Sequence, residues 1–294
     1  MQKLIKSIAC QNILGEGIIY DWRHNVVMWT DIENKQLFRY TIKQDKLECF
    51  ATPERLCAFA LTSKNNTLLC AFASGFALYN LQTQAIEWLH QPDELQNQGL
   101  RLNDGRLDTR GRFWCGAMVE NQDICPPEKA SLYRLDSDFT LTRIFSNIHI
   151  SNGICFDASR QTMYFADSKL HQIYRFHYNQ KSGDISNKQR LATTDSNHFP
   201  DGAVVDTSGH LWSAHWGGST VNAYNTHGDT VHTAALPVLQ PSCVAFGGID
   251  LTTMFVTSAQ QGMQAKQLQQ YPQSGNVMVL ETAIKGVPEP IFNI

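Results

Sequence analysis

One pattern of apolar and polar positions recurs six times along the chain. Each copy is a short apolar run, a turn rich in Asp, Ser, Asn or Gly, and a second apolar run carrying an aromatic or large aliphatic residue. The copies are GIIYDWRHNVVMWTDI, AFALTSKNNTLLCAF, GRLDTRGRFWCGAM, GICFDASRQTMYFADS, GAVVDTSGHLWSAHW and VAFGGIDLTTMFVTSA. Their anchors, Trp29, Leu69, Trp114, Tyr164, Trp212 and Phe255, lie 40, 45, 50, 48 and 43 residues apart. A third apolar run follows each copy, and in the first five a turn and a fourth, as QLFRY leads to KLECF and SLYRLD to LTRIF. Runs of about five residues, rich in β-branched and aromatic types and bounded by turn formers, read as strands. No long amphipathic helix is present; Gln91 to Gln98 are expected to form a turn or two.

Four strands at this repeat length predict an all-β fold, a six-bladed β-propeller with four antiparallel strands per blade. One blade cannot bury both its faces alone, whereas six stacked around an axis can. The last blade lacks a fourth run of its own, so Leu4 to Cys10 is expected to supply it and tie the termini together. Residues 1–294 are then one domain. A two-sheet sandwich, the other all-β architecture, does not predict so regular a repeat.

Composition narrows the function classes. Of 294 residues, 43% are hydrophobic and 17% charged, a folded rather than a disordered composition. With 24 basic and 27 acidic residues, the net charge of −3 offers no basic face for nucleic acid. MQKLIKSIACQNILGEG has no continuous apolar core like that of a signal peptide. No run approaches a membrane span. A soluble, cytoplasmic protein is expected, with no oligomeric state implied. The eight cysteines, Cys10, Cys49, Cys57, Cys70, Cys115, Cys125, Cys155 and Cys243, include no C-x-x-C pair. They read as reduced thiols, most of them small core hydrophobes, rather than as metal ligands.

The candidate chemistry lies 11 to 13 residues before each anchor, at Glu16, Ala58, Asn103, Asn152, Asp201 and Ser242. The first strand of a blade lines the central channel, so these positions converge at one depth. Taken singly, NDG, NGI and PDG are ordinary turn sequences. Together they aim two carboxylates and two carboxamides at one small volume, where like charges repel unless a proton or a cation sits between them. An oxygen donor set suits Ca, Mg or Mn, or Fe or Zn with fewer ligands. Gly17, Gly105, Gly153 and Gly202 beside these positions permit close approach at a crowded axis.

These motifs also carry a resemblance. LGEGIIYD, RLNDGRLDTRGRFWCGAM, ISNGICFDASRQTMYFADS, FPDGAVVDTSGHLWSAHWGG and PSCVAFGG resemble the senescence-marker-protein/gluconolactonase/luciferin-regenerating-enzyme family, which includes regucalcin and bacterial sugar lactonases. The resemblance runs from about Leu14 to Ala259. It implies a six-bladed propeller with one divalent ion held by Glu16, Asn152 and Asp201, and with Asn103 as a weaker ligand or a substrate contact. It implies that Arg101 contacts substrate hydroxyls, that Glu120 faces the substrate, and that NQDICPPEK is a lid. His149 and His198 flank two of the ligand segments without an assigned role.

The expected reaction is metal-assisted hydrolysis of a sugar-acid lactone, with Asp201 or the ion alone activating water. Two alternatives stand beside it: a related propeller hydrolase for aryl lactones or phosphotriesters, and a non-catalytic calcium-binding propeller. Other chemistries lack their motifs. There is no G-x-S-x-G elbow and no GK[ST] phosphate loop, and GEGIIY lacks the third glycine of a dinucleotide fingerprint.

Overall fold

The computed structural model describes residues 2–96 and 99–294. Six four-stranded antiparallel sheets follow one another along the chain as blades 1 to 6. Their innermost strands are Gly15–Asp21, Leu56–Leu61, Leu100–Leu107, Ser151–Asp157, Phe199–Val205 and Pro241–Gly247. Each packs against the innermost strands of the blades before and after it, and Gly15–Asp21 meets Pro241–Gly247, so the ring closes. The sandwich alternative is excluded.

The closure is made as expected. Lys3–Ile8 pairs antiparallel with Val277–Glu281 as the outer strand of blade 6. That strand ends before Cys10, whose thiol instead donates to the Gly275 carbonyl at 3.3 Å.

Burial follows position in the blade. GEGIIYD and PSCVAFG are buried at every residue, because neighbouring blades cover both faces. The outer strands Lys46–Ala51 and Ile185–Thr193 are largely exposed and carry lysines, which discourages edge-to-edge pairing. All six anchors are buried between blades. Removing such side chains from water contributes roughly 1.5–3 kcal/mol each. The indole N–H groups of Trp114 and Trp212 donate to Asp108 and Asp206, whose other oxygens accept backbone N–H groups of the hairpin turns. Those two aspartates therefore fasten turn to core.

No disulfide is present; six cysteines are buried, Cys10 is half-buried and Cys49 is exposed. The segment after Gln91 forms a short 3-10 turn at Asp93–Leu95, while Asn97 and Gln98 lie outside the described residues. A six-residue helix, Ala265–Gln270, follows the second strand of blade 6 and was not foreseen from the pattern. Among the described residues no helix is long and apolar enough to cross a membrane.

Candidate active site

Every innermost strand carries the same defect at the same end. Between Glu16 and Ile19, Leu56 and Ala58, Leu102 and Gly105, Asn152 and Cys155, Pro200 and Ala203, and Pro241 and Val244, the ladder shifts register against the second strand. In each case the innermost strand holds one residue more than its partner, which is a β-bulge. A bulge breaks the alternation of side chains and re-aims one of them. Glu16, Asn103, Asn152, Asp201 and Ser242 sit at or inside these bulges. The glycines fit the same geometry. Gly17 and Gly153 have φ of 58° and 61°. A Cβ on Gly202 would lie 2.5 Å from the Cys243 sulfur.

The bulges gather the predicted residues. Glu16, Arg101, Asn103, Asn152 and Asp201 line one cavity of about 290 Å³, with Leu14, Met118, Ile150, Phe199 and Trp216 supplying apolar wall. The Asn103 Nδ2 donates to Asn152 Oδ1 at 3.1 Å and to the Ser151 carbonyl at 2.8 Å. Asn152 Nδ2 donates to Ser168 Oγ at 2.8 Å, and that hydroxyl donates to the Pro200 carbonyl at 2.6 Å. The Asn103 oxygen accepts from Arg101 Nη1 at 2.6 Å. Both carboxamides are thereby oriented: Asn152 keeps its oxygen toward the axis, and Asn103 gives its own to the arginine.

Two carboxylates share this floor, neither in an ion pair among the described residues, with the charge of Arg101 acting on both. Glu16 accepts the Gly17 N–H at 3.1 Å, and Asp201 accepts that of Gly202. Burial, then the charge of Asp104, pushes the Glu16 carboxyl above its usual range. Burial, then Glu16 itself, does the same to Asp201. Two buried carboxylates that oppose each other's ionisation fit a bound cation. No three His, Cys, Asp or Glu side chains cluster around a possible ion among the described residues. An ion here would therefore rest on these two carboxylates and carboxamide oxygen.

Arg101 and Glu120 stand differently from the expectation of two side chains free to meet a sugar. Arg101 is buried, 4% exposed, and bonds Glu120 through Nε at 3.3 Å. Its Nη1 is used by the Leu102 carbonyl and Asn103, which leaves Nη2 without a partner among the described residues. Glu120 is not on the cavity wall. It is gripped at both oxygens by Arg55, at 2.6 and 2.9 Å. That pairing holds the Glu120 carboxyl below its usual range. The expected lid, 121–129, is mostly exposed, with Cys125 buried beneath it.

The chemistry-free residues find structural roles. His149 bonds Asp167 through its backbone N–H and Nδ1, and His198 sits against Gly218. Neither lines the cavity. Asp31 accepts the N–H groups of Ile13 and Leu14, and Asp167 those of His149 and Ile150. Each clamps the segment two residues before Glu16 or Asn152. The signal was present in the repeated TDI and ADS and went unread. Asp104 and Arg106 were also passed over in NDGR. Asp104 accepts the Ile154 N–H at 3.0 Å; Arg106 is buried, donates to the Ala203 and Ile18 carbonyls and pairs with Glu289.

Comparison with known proteins places the chain in a family. Residues 14–260 match the model of the SMP-30/Gluconolactonase/LRE-like region. The chain belongs to this family. Within the SMP-30/gluconolactonase family it is 36% identical to the L-arabinolactonase of Azospirillum brasilense, over 96% of this chain and 93% of that one. It is 30% identical to the 6-deoxy-6-sulfogluconolactonase of Pseudomonas putida, over 99% of both. The crystal structure of a calcium-binding protein, regucalcin from Agrobacterium tumefaciens, superposes with a TM-score of 0.92 at 27% identity. That match covers 99% of this chain and 98% of the other. The SMP-30/gluconolactonase match begins at Leu14, beside the first clamp, and ends just past the last blade's second strand.

Proposed function

We propose that this protein is a metal-dependent lactonase that opens a sugar-acid lactone to the free aldonic acid. The observation that carries the reading is the pair of buried carboxylates, Glu16 and Asp201, neither in an ion pair among the described residues, at the floor of a cavity that also holds Arg101. Its membership of a family with two lactonases among its relatives agrees with it.

Glu16, Asn152 and Asp201 would hold the ion, with Asn103 bracing the Asn152 oxygen from behind. An all-oxygen set suits a hard divalent cation such as Ca, Mg or Mn. An ion held there would supply Lewis-acid polarisation of the lactone carbonyl and would offset the charge that develops on its oxygen. Asp201 would take a proton from the attacking water. The water oxygen bonds to the carbonyl carbon, the ring C–O bond breaks, and the departing oxygen recovers the proton as a hydroxyl. Arg101 Nη2 donates to a ring hydroxyl and fixes the lactone over the floor.

The apolar wall of Met118, Ile150, Phe199 and Trp216 favours a second substrate class, aryl or alkyl lactones. One experiment separates the readings. Acid release is followed from glucono-, xylono-, arabino- and galactonolactone and from an aryl lactone, with chelator and with each divalent ion. Sugar lactones opened only with metal support the proposal. Rates no faster than spontaneous hydrolysis in every metal would leave it without substance.

A further inference from the structure

A run of polar contacts beside the cavity links residues of all six blades. Gln261, on the cavity wall after blade 6's second strand, donates to Glu33 Oε1 at 3.3 Å. Glu33, in a turn of blade 1, lies 3.8 Å from Arg55 Nη1. Arg55 enters blade 2 and grips Glu120 of blade 3 with both Nη atoms. Glu120 Oε1 accepts Arg101 Nε, and from Arg101 the run continues through Asn103, Asn152 and Ser168 to the Pro200 carbonyl of blade 5. Both Gln261 and Arg101 face the cavity, and Arg55 is the link between their halves.

We infer that Arg55 is a positioning residue of the substrate site, holding the Glu120 carboxylate against Arg101 so that the guanidinium stays turned over the cavity. The inference rests on the lactonase reading and extends it. Its geometry is a planar fork on a carboxylate, the arrangement that fixes direction as well as distance. Glu120 has about four lone-pair sites. Arg55 takes one on each oxygen and Arg101 one on Oε1, so three of the four are used within the protein. Without Arg55, the Glu120 side chain, already 37% exposed, keeps only the 3.3 Å bond from Arg101 Nε. Arg101 then rests on its Nη1 bonds to the Leu102 carbonyl and Asn103, and the plane of its guanidinium is less fixed. Lysine at position 55 keeps the charge and loses the fork.

The test measures kcat and KM on the best lactone for wild type, Arg55→Gln, Arg55→Lys, Glu120→Gln and the double variant Arg55→Gln/Glu120→Gln. Binding of a non-hydrolysable sugar lactam of the same ring is measured in parallel by calorimetry. Arg55→Gln should raise KM and lactam Kd about tenfold while kcat and bound metal hold within about twofold. Arg55→Lys should recover part of the loss. The double variant should be no worse than Glu120→Gln alone, because the two act as one unit. A residue that only braces the fold would lower Tm and leave KM alone. Wild-type KM and lactam affinity in Arg55→Gln, or additive losses in the double variant, overturn the inference. If wild type opens no lactone, the functional reading fails, and the lactam arm still decides whether Arg55 shapes a sugar site.

Discussion

The side-chain amide of Asn103 donates to the side-chain oxygen of Asn152 at 3.1 Å, across 49 residues of chain and the boundary between two blades. Neither orientation is free. Arg101 holds the Asn103 oxygen on one side, and Ser168 holds the Asn152 amide on the other. The Asn103 amide spends both hydrogens, on Asn152 and on the Ser151 carbonyl, so the oxygen left for the axis is that of Asn152, beside Glu16 and Asp201.

Glu16→Gln and Asp201→Asn should fold as propellers, bind no stoichiometric divalent ion and lose at least about a hundredfold in lactone hydrolysis. Their stability should change sign with metal. In chelator each should melt above wild type, because a buried repulsion is removed. In saturating divalent ion wild type should melt higher, because only it gains binding free energy. Metal analysis with paired melting curves checks this, and retained metal in Asp201→Asn refutes the ligand assignment.

Ser168→Ala removes the hydroxyl between Asn152 Nδ2 and the Pro200 carbonyl. The carboxamide is then free to turn its amide toward the ion. Metal affinity should fall about 10- to 100-fold, as when a partner behind a ligand is lost. Ser168→Thr, which keeps the hydroxyl, should retain more of the affinity. A metal titration that cannot tell Ser168→Ala from wild type sinks the orienting role.

Gly202→Ala should destabilise the protein by roughly 1–3 kcal/mol, the usual cost of overpacking. The new Cβ would stand 2.5 Å from the Cys243 sulfur and 2.9 Å from the main-chain carbon that bears it, so backbone must move. Adding Cys243→Ala should recover only part of the loss, since it removes the sulfur and leaves the backbone clash. Urea midpoints of the single and double variants measure it.

His215 sets an acid limit. It is buried, with Asn222 Nδ2 3.2 Å from Nδ1 and the Tyr224 hydroxyl 2.9 Å from Nε2. The Asn222 amide nitrogen can only donate, so Nδ1 accepts and the neutral ring donates from Nε2 to Tyr224. Burial, then the neighbouring His198, pushes its pKa down to about 4 from the 6.5 of a free histidine. As pH falls the unfolded chain therefore takes up the proton first. Its contribution is intact above pH 6.5 and is lost down to pH 4, about 3 kcal/mol in all. Unfolding free energy measured at pH 7 and pH 4.5 should drop less in His215→Gln than in wild type. An equal drop in both would assign the acid sensitivity elsewhere.

The architecture was legible because it is written six times. An anchor every 40 to 50 residues and four short runs per unit leave little choice of fold, and the N-terminal strand follows from the missing fourth run of blade 6. Glu16, Asn103, Asn152 and Asp201 were legible for the same reason: repeat-equivalent positions meet when the repeats are arranged radially. Asp31 and Asp167 share that periodicity and needed only a closer comparison of the copies. Arg55 carries no such mark. It falls in a turn before blade 2, in PERLCAF, with no counterpart in the other copies.

By itself, then, the order of residues determined the number of blades, their strands and the set of side chains aimed at the axis, since each depends on local alternation and on a period along one dimension. Only the tertiary structure decided which of those side chains are partnered and which are left as bare charge. It placed Glu120 on Arg55 rather than on the cavity wall and turned the Asn103 oxygen to Arg101. Those choices depend on distances of a few ångströms between strands of different blades. Such distances are set by bulges, twist and packing around the ring, and no pattern along the chain encodes them.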